Sequence, residues 1–160
     1  MSQTTEGTTP AAAASGTATW TDPFRAHNFK LMIQGVTEGH FIECSGLDIT
    51  IDVDEYREAG QSQVVHKVPT ITRYGDVSLR YGLTNRDELW KWFEETVRGE
   101  IKRRNVTIVL LDAQGTQPVI QWNLRDALPV RWKGATLRAT AREVAIEEIV
   151  LSYETLARGA

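Results

Sequence analysis

The feature that most constrains the fold is a segment in which apolar and polar side chains alternate strictly. Between residues 48 and 54, three aliphatic side chains are separated by a threonine and by aspartates. Because successive side chains of a β-strand point to opposite sides of the sheet, this period predicts a strand with one apolar and one acidic face. The predicted acidic face consists of Asp48, Thr50, Asp52 and Asp54. Such a face suits an assembly surface better than an enzyme pocket.

A polar stretch follows this strand and is too long for a simple hairpin turn. It extends from Arg57 to about Arg73, with Gly60 near one end and Pro69 near the other. We therefore predict an arm that projects from the sheet, with partial strand character near Val64 and Ile71.

Other alternating segments predict further strands at residues 29–36, 41–44, 76–83, 106–112, 119–132 and 144–153. The pair Glu147–Glu148 disturbs the last of them and indicates a bulge there. Helical spacing is clear only between residues 85 and 97, where Asn85 is the expected cap and Gly99 the expected end. Its apolar stripe, expected to pack on the sheet, is Leu89, Trp92 and Phe93. Residues 135–142 fit either a helix or extended chain.

The count is six to eight strands and one helix that does not alternate with them. This predicts a mainly β fold, an antiparallel sandwich or barrel-like sheet with one α-helix. At 160 residues the chain suits one domain, from about residue 22 to 160, after a flexible Ala/Thr-rich tail over residues 1–21. A signal peptide would need a basic start followed by an apolar run, and the N-terminal sequence has neither. No segment is apolar enough to span a membrane. We therefore expect assembly in the cytoplasm.

The residues give little support to chemistry or cofactor binding. The net charge of −3 does not favour nucleic-acid binding, and the single Cys44 fits a buried apolar position. The three histidines are scattered, and neither a nucleophile elbow nor a phosphate loop is present. Close aspartates can bind a hard cation, but calcium loops are irregular whereas this run has the period of a strand. We therefore predict no enzyme activity and no catalytic, cofactor or metal residues.

Taken in order, ten short segments resemble the tail tube protein family of contractile phages and phage-tail-like contractile injection systems. They are DPF at 22–24, FKLMI at 29–33, FxExSGL at 41–47, EYRE at 55–58, VP at 68–69, LxYGLT at 79–84, LxxW at 89–92, NVTI at 105–108, AxPVxWxG at 127–134 and VAIE at 144–147. The resemblance implies a tail tube fold whose subunits form hexameric rings. In the family, strands of six subunits join into an inner barrel, and the rings stack into a tube that sheath contraction drives through a target envelope.

On this hypothesis the chain is a structural subunit of that tube, and its acidic strand lines the lumen. The arm would contact a neighbouring subunit or ring through Tyr56, Arg57, Glu58, Gly60, His66, Lys67, Pro69 and Arg73. The implied partners are further copies of the chain, the sheath protein, the baseplate hub or initiator, the tube terminator and possible cargo in the lumen. Two alternatives remain open at this stage. One is a tube initiator or minor tube protein at the baseplate, and the other, more remote, is a monomeric β-barrel that binds a small ligand.

Overall fold

The computed structural model describes residues 28–34, 41–60, 64–83, 87–140 and 143–159. The expected N-terminal tail and the expected Asn85 cap lie outside these residues. The described part contains nine strands and one helix. In chain order these are β1 (Phe29–Ile33), β2 (Phe41–Ser45), β3 (Ile49–Tyr56), β4 (His66–Tyr74), β5 (Val77–Gly82), α1 (Glu88–Val97), β6 (Arg104–Leu111), β7 (Pro118–Lys133), β8 (Ile146–Ser152) and β9 (Thr155–Gly159).

All strand pairs are antiparallel, and three of the seven include the long strand β7. The first part of β7 pairs with β6 on one side and β9 on the other, and β6 continues to β1. The last part of β7 pairs with β8, which continues through β5 to β2. We call these the first and the second half-sheet. Strands β3 and β4 form a separate two-stranded sheet.

A backbone irregularity in β7 marks the boundary between the half-sheets. Arg125 and Asp126 lie opposite the single residue Asn105 of β6, which is a β-bulge, and Asp126 has a φ of +54°. The Asn105 side-chain oxygen accepts a hydrogen bond from the Asp126 N–H at 3.2 Å. The Arg125 carbonyl accepts one from the Glu154 N–H at 3.1 Å, just before β9. The bulge therefore lets one strand serve two half-sheets.

The core lies between the half-sheets and the helix. The alternation along each strand places fully buried side chains on its inner face: Val77, Leu79, Val106, Leu124, Ile149 and Leu151. Trp92 of the helix is fully buried in the same cluster. Leu89 is also buried, and Phe93 packs against the same cluster. The mainly antiparallel β architecture with one helix agrees with the predicted fold class.

The helix begins and ends differently from a simple capping pattern. Asp87 occupies the N-cap position and makes no side-chain capping bond. At the other end Gly99 has a φ of +91°, its N–H donates to Thr96 O, and the Glu100 N–H donates to Glu95 O. These two bonds form a Schellman motif, which needs the left-handed conformation that glycine adopts readily.

Three further expectations are corrected by the strands. The expected bulge at Glu147–Glu148 is absent from β8, and the irregularity lies opposite, between Pro129 and Arg131 of β7. Glu147 lies on the inner side of β8 opposite Tyr81. This one inward carboxylate interrupts the alternation of apolar and polar residues in the sequence. The predicted arm is not a separate loop, because its second half is β4 and pairs with β3. Strand β9 was not predicted, and residues 134–138 are irregular.

Candidate assembly surface

The acidic strand and the arm belong to one hairpin, β3–β4, which continues the pairing of β2 with β5. Ser45 pairs with Ser78 at the end of the second half-sheet, and Ile49 pairs with Tyr74 at the start of the hairpin. Two long chain segments therefore run side by side through the sheet and out of it. The break between the two paired regions consists of residues 46–48 on one segment and 75–77 on the other.

Glycines form the root of the hairpin at this break. Gly46 has a φ of +90°, and a Cβ at this position would lie 2.2 Å from the Asp76 carbonyl oxygen. The Asp48 carbonyl accepts hydrogen bonds from the Gly75 N–H at 2.9 Å and from the Tyr153 hydroxyl at 3.4 Å. The root is thus held by backbone contacts that leave no room for a side chain at residue 46, and these contacts fix the direction of the hairpin.

One face of the hairpin is apolar and solvent-exposed. Ile49, Ile51 and Val53 retain 47%, 53% and 49% of their accessible surface. Their cross-strand partners on this face are Tyr74, Thr72 and Pro69. A row of half-exposed aliphatic side chains on a projecting ribbon is typical of a surface that another protein chain covers.

The opposite face carries the predicted acidic residues together with basic ones. The Arg73 Nε donates to Asp52 Oδ2 at 2.8 Å, and Thr50 is the direct cross-strand partner of Arg73. Asp54 lies opposite Val68 and makes no ion pair with any described residue. The acidic face is therefore partly neutralised at Asp52, whereas no described residue neutralises the carboxylate of Asp54.

Aromatic and charged side chains brace the far end of the hairpin. Tyr56 and its partner His66 have ring centroids 5.8 Å apart. The Tyr56 hydroxyl donates to Glu58 at 2.8 Å, and this hydrogen bond raises the pKa of Tyr56 above its ordinary value. Lys67 and Glu55 approach to 3.9 Å. All of these groups are exposed, so each contact adds little to stability and mainly limits the conformations of the tip.

The structure brings the two predicted sets of site residues together on this hairpin. Arg57, Glu58 and Gly60 follow β3 in the connection, while His66, Lys67, Pro69 and Arg73 are residues of β4. Sequence reasoning missed the root residues Gly75 and Tyr153. The glycines on either side of the acidic strand were the available signal for the root, whereas nothing local marked Tyr153.

Neither a metal centre nor a membrane-spanning helix is found in the described residues. No group of three or more His, Cys, Asp or Glu side chains lies close enough to hold a metal ion there. The described helix has ten residues and is too short to cross a membrane. Burial raises the pKa of the Cys44 thiol to about 11, so this cysteine is an unreactive member of the sheet.

Comparison with known proteins decides the family. The model of the T4-like virus tail tube protein gp19 family matches residues 25–157, which is most of the chain. The chain belongs to this family. A search of curated protein sequences returns no significant match.

Solved structures of tail tube proteins share the fold. A chain of the PVC sheath–tube complex, an extracellular contractile injection system in its extended state, is 27% identical with a TM-score of 0.77, and the match covers 86% of this chain and 92% of that one. A chain of the anti-feeding prophage (AFP) baseplate is 28% identical with a TM-score of 0.77, covering 87% and 97%. A chain of the PVC sheath/tube terminator structure is 26% identical with a TM-score of 0.79, covering 88% and 99%. The resemblance to tail tube proteins seen in the sequence is therefore confirmed.

Proposed function

We propose that the chain is a structural subunit of the inner tube of a contractile injection machine. Six copies form a ring, and rings stack into a hollow tube that sheath contraction drives through a target envelope. The observation that carries the proposal is the exposed apolar face of the hairpin, formed by Ile49, Ile51 and Val53. It needs a covering partner, and a further copy of a tail tube protein supplies one.

The partners follow from the machines in which the relatives were solved. The sheath protein would surround the tube, a baseplate hub or initiator would start it, and a terminator would end it. The chain would assemble in the cytoplasm and then become part of a phage-tail-like particle. The proposed role requires no catalysis and no cofactor.

The two faces of the hairpin suggest two contacts within the tube. We assign the apolar face, to which β4 contributes Thr72 and Pro69, to contact with a neighbouring subunit or ring. The acidic face, with Asp48, Thr50, Asp52 and Asp54, is assigned to the lumen, where its negative charge would repel acidic cargo and limit sticking. Asp54, whose carboxylate has no ion pair with a described residue, would contribute most to this charge.

Negative-stain electron microscopy of the purified chain tests the proposal. We expect rings of uniform diameter and, at higher concentration, stacked tubes. Particles that remain monomeric at every concentration would refute the tube function. The assignment of the acidic face to the lumen needs a separate variant, because the chain could form rings even if that face lay elsewhere.

Asp54→Lys tests the lumen assignment, with Asp52→Lys as its comparison. Asp54 makes no ion pair with the described residues, so its replacement should leave ring formation intact and reverse the local charge of the channel. Asp52→Lys places a lysine against Arg73 and should also disturb the hairpin. If Asp54→Lys abolishes rings while the chain stays folded, the residue lies in a subunit contact and not on the channel wall.

A role as tube initiator is the second candidate, since a chain of the AFP baseplate is as similar to this chain as the sheath–tube chain is. An initiator would form single rings that do not stack alone. Sedimentation of the purified chain separates the two roles, because only the tube subunit gives particles whose length grows with concentration.

A further inference from the structure

The second half-sheet carries a row of alternating charges across its outer face. The strand registers place Glu43 of β2 opposite Arg80 of β5, Arg80 opposite Glu148 of β8, and Glu148 opposite Lys133 of β7. Their neighbours along the strands, such as Leu79 and Ile149, are buried in the core, so these four side chains share the outer face. The row reads negative, positive, negative, positive across the four strands.

The two ends of this row are chemically different. Arg80 Nη1 donates to Glu43 Oε2 at 2.9 Å, and Ser78 Oγ donates to Glu148 Oε1 at 2.8 Å. Lys133 makes no ion pair or side-chain hydrogen bond with the described residues, although its cross-strand partner is a glutamate. One edge of the half-sheet therefore ends in a carboxylate, and the other ends in an ammonium group that no described residue pairs with.

Both edge strands also lack a second neighbour. Within the described residues, β2 pairs only with β5, and residues 128–133 of β7 pair only with β8. Four antiparallel strands alternate in direction, so the two edges run in opposite directions. A copy rotated about an axis along the strands would therefore present its β2 antiparallel to the free edge of β7, and the ladder would continue across the boundary.

We infer that Lys133 of one copy pairs with Glu43 of the next copy where two half-sheets join. This inference rests on the proposed ring. The contact would set the register in which β7 of one copy pairs with β2 of the next. The charge alternation continues through such a junction without placing like charges opposite each other. A slip by one residue would turn Lys133 to the other face of the sheet, and a slip by two would move it away from Glu43. The pair thus favours one register among those that backbone hydrogen bonds alone would allow.

Disulfide cross-linking tests the contact directly. The variant Glu43→Cys/Lys133→Cys is made in a Cys44→Ala background. Within one copy these two positions are three strand spacings apart, about 14 Å, which is too far for a disulfide. Every disulfide between them must therefore join two copies. The control variant Glu43→Cys/Arg125→Cys moves the second cysteine to the exposed start of the β7 bulge.

Under oxidation we expect a ladder of covalent oligomers on a denaturing gel, ending at the closed ring and abolished by reductant. The control variant should remain monomeric. Rings in the microscope without a ladder would overturn the inference and leave the tube function standing, whereas absence of rings from the unsubstituted chain would overturn both.

Charge reversal gives a second test that does not depend on the cysteines. Lys133→Glu should raise the concentration needed for ring formation roughly fivefold or more, because it faces Glu43 of the next copy. Inverting the whole row, with Glu43→Lys, Arg80→Glu, Glu148→Lys and Lys133→Glu together, restores the alternation and should restore rings. If Lys133→Glu assembles as well as the unsubstituted chain, the pairing is refuted.

Discussion

Replacement of Gly46 by alanine tests how the hairpin is joined to the sheet. The added Cβ would lie 2.2 Å from the Asp76 carbonyl oxygen, a backbone atom that cannot rotate away. The φ of +90° adds a second penalty, because an L-residue in the left-handed region costs roughly 1–2 kcal/mol. Overpacking against backbone typically costs a further 1–3 kcal/mol. We therefore expect Gly46→Ala to lower the free energy of unfolding by about 2–5 kcal/mol in total.

Urea unfolding followed by tryptophan fluorescence measures this loss. Gly115→Ala is the matched control, since Gly115 has a φ of +73° but no atom within 4 Å of the position of an added Cβ. It should show the conformational penalty alone, about 1–2 kcal/mol. If Gly46→Ala and Gly115→Ala lose equal stability, the close approach to Asp76 does not hold the root, and the reasoning about the hairpin direction fails.

Three other substitutions have expected outcomes. Trp92→Phe keeps a buried ring but leaves the Lys102 carbonyl without its 2.7 Å hydrogen bond from Nε1, so urea unfolding should show a loss of about 1–3 kcal/mol. The Thr116 N–H is the main cause of the lowered pKa of Asp112. The stability that this carboxylate contributes is therefore present above its ordinary pKa and is lost as the pH falls through the lowered value. Asp112→Asn should show a smaller loss of stability than the unsubstituted chain as the pH falls from about 5 to about 2. Ile51→Ser, at a half-exposed position, should change monomer stability by at most about 0.5 kcal/mol yet reduce the fraction of chains in rings on sedimentation.

Each of these has a control elsewhere in the chain. Trp90→Phe changes a partly exposed ring and should cost less than Trp92→Phe. Gln114→Ala changes an exposed residue of the same turn and leaves the Asp112 carboxylate in place, so it should keep the pH dependence of the unsubstituted chain. Val97→Ser alters an exposed aliphatic residue on the helix and should leave ring formation unchanged. A control that behaves like its partner variant would refute the corresponding explanation.

Sequence periodicity predicted the strands whose inner faces are continuous. Val77 and Leu79 alternate with polar residues, and both lie fully buried in β5, the strand where the period placed them. The helix was also predictable, because Leu89 and Trp92 lie three residues apart on one side of it and both are buried. These signals are local, and a single element carries each of them.

The errors arose where pairing between distant segments decides the structure. Pro69 and the register shift next to its partner Val53 weaken the strand pattern in the sequence of β4. Pairing with β3 stabilises this strand. Strand β9 has little alternation of its own and is set by its pairing with β7. The root contact between Tyr153 and Asp48 joins residues 105 positions apart, so no local pattern could reveal it.

The central claim is that this chain closes into a ring of six copies, and native mass spectrometry of the purified protein tests it most directly. We predict a dominant species of six times the 17.9 kDa chain mass, with stacked rings appearing as multiples of that species. A spectrum that contains only the single chain at all concentrations, or a continuous series of oligomers with no preferred closed size, would contradict the account.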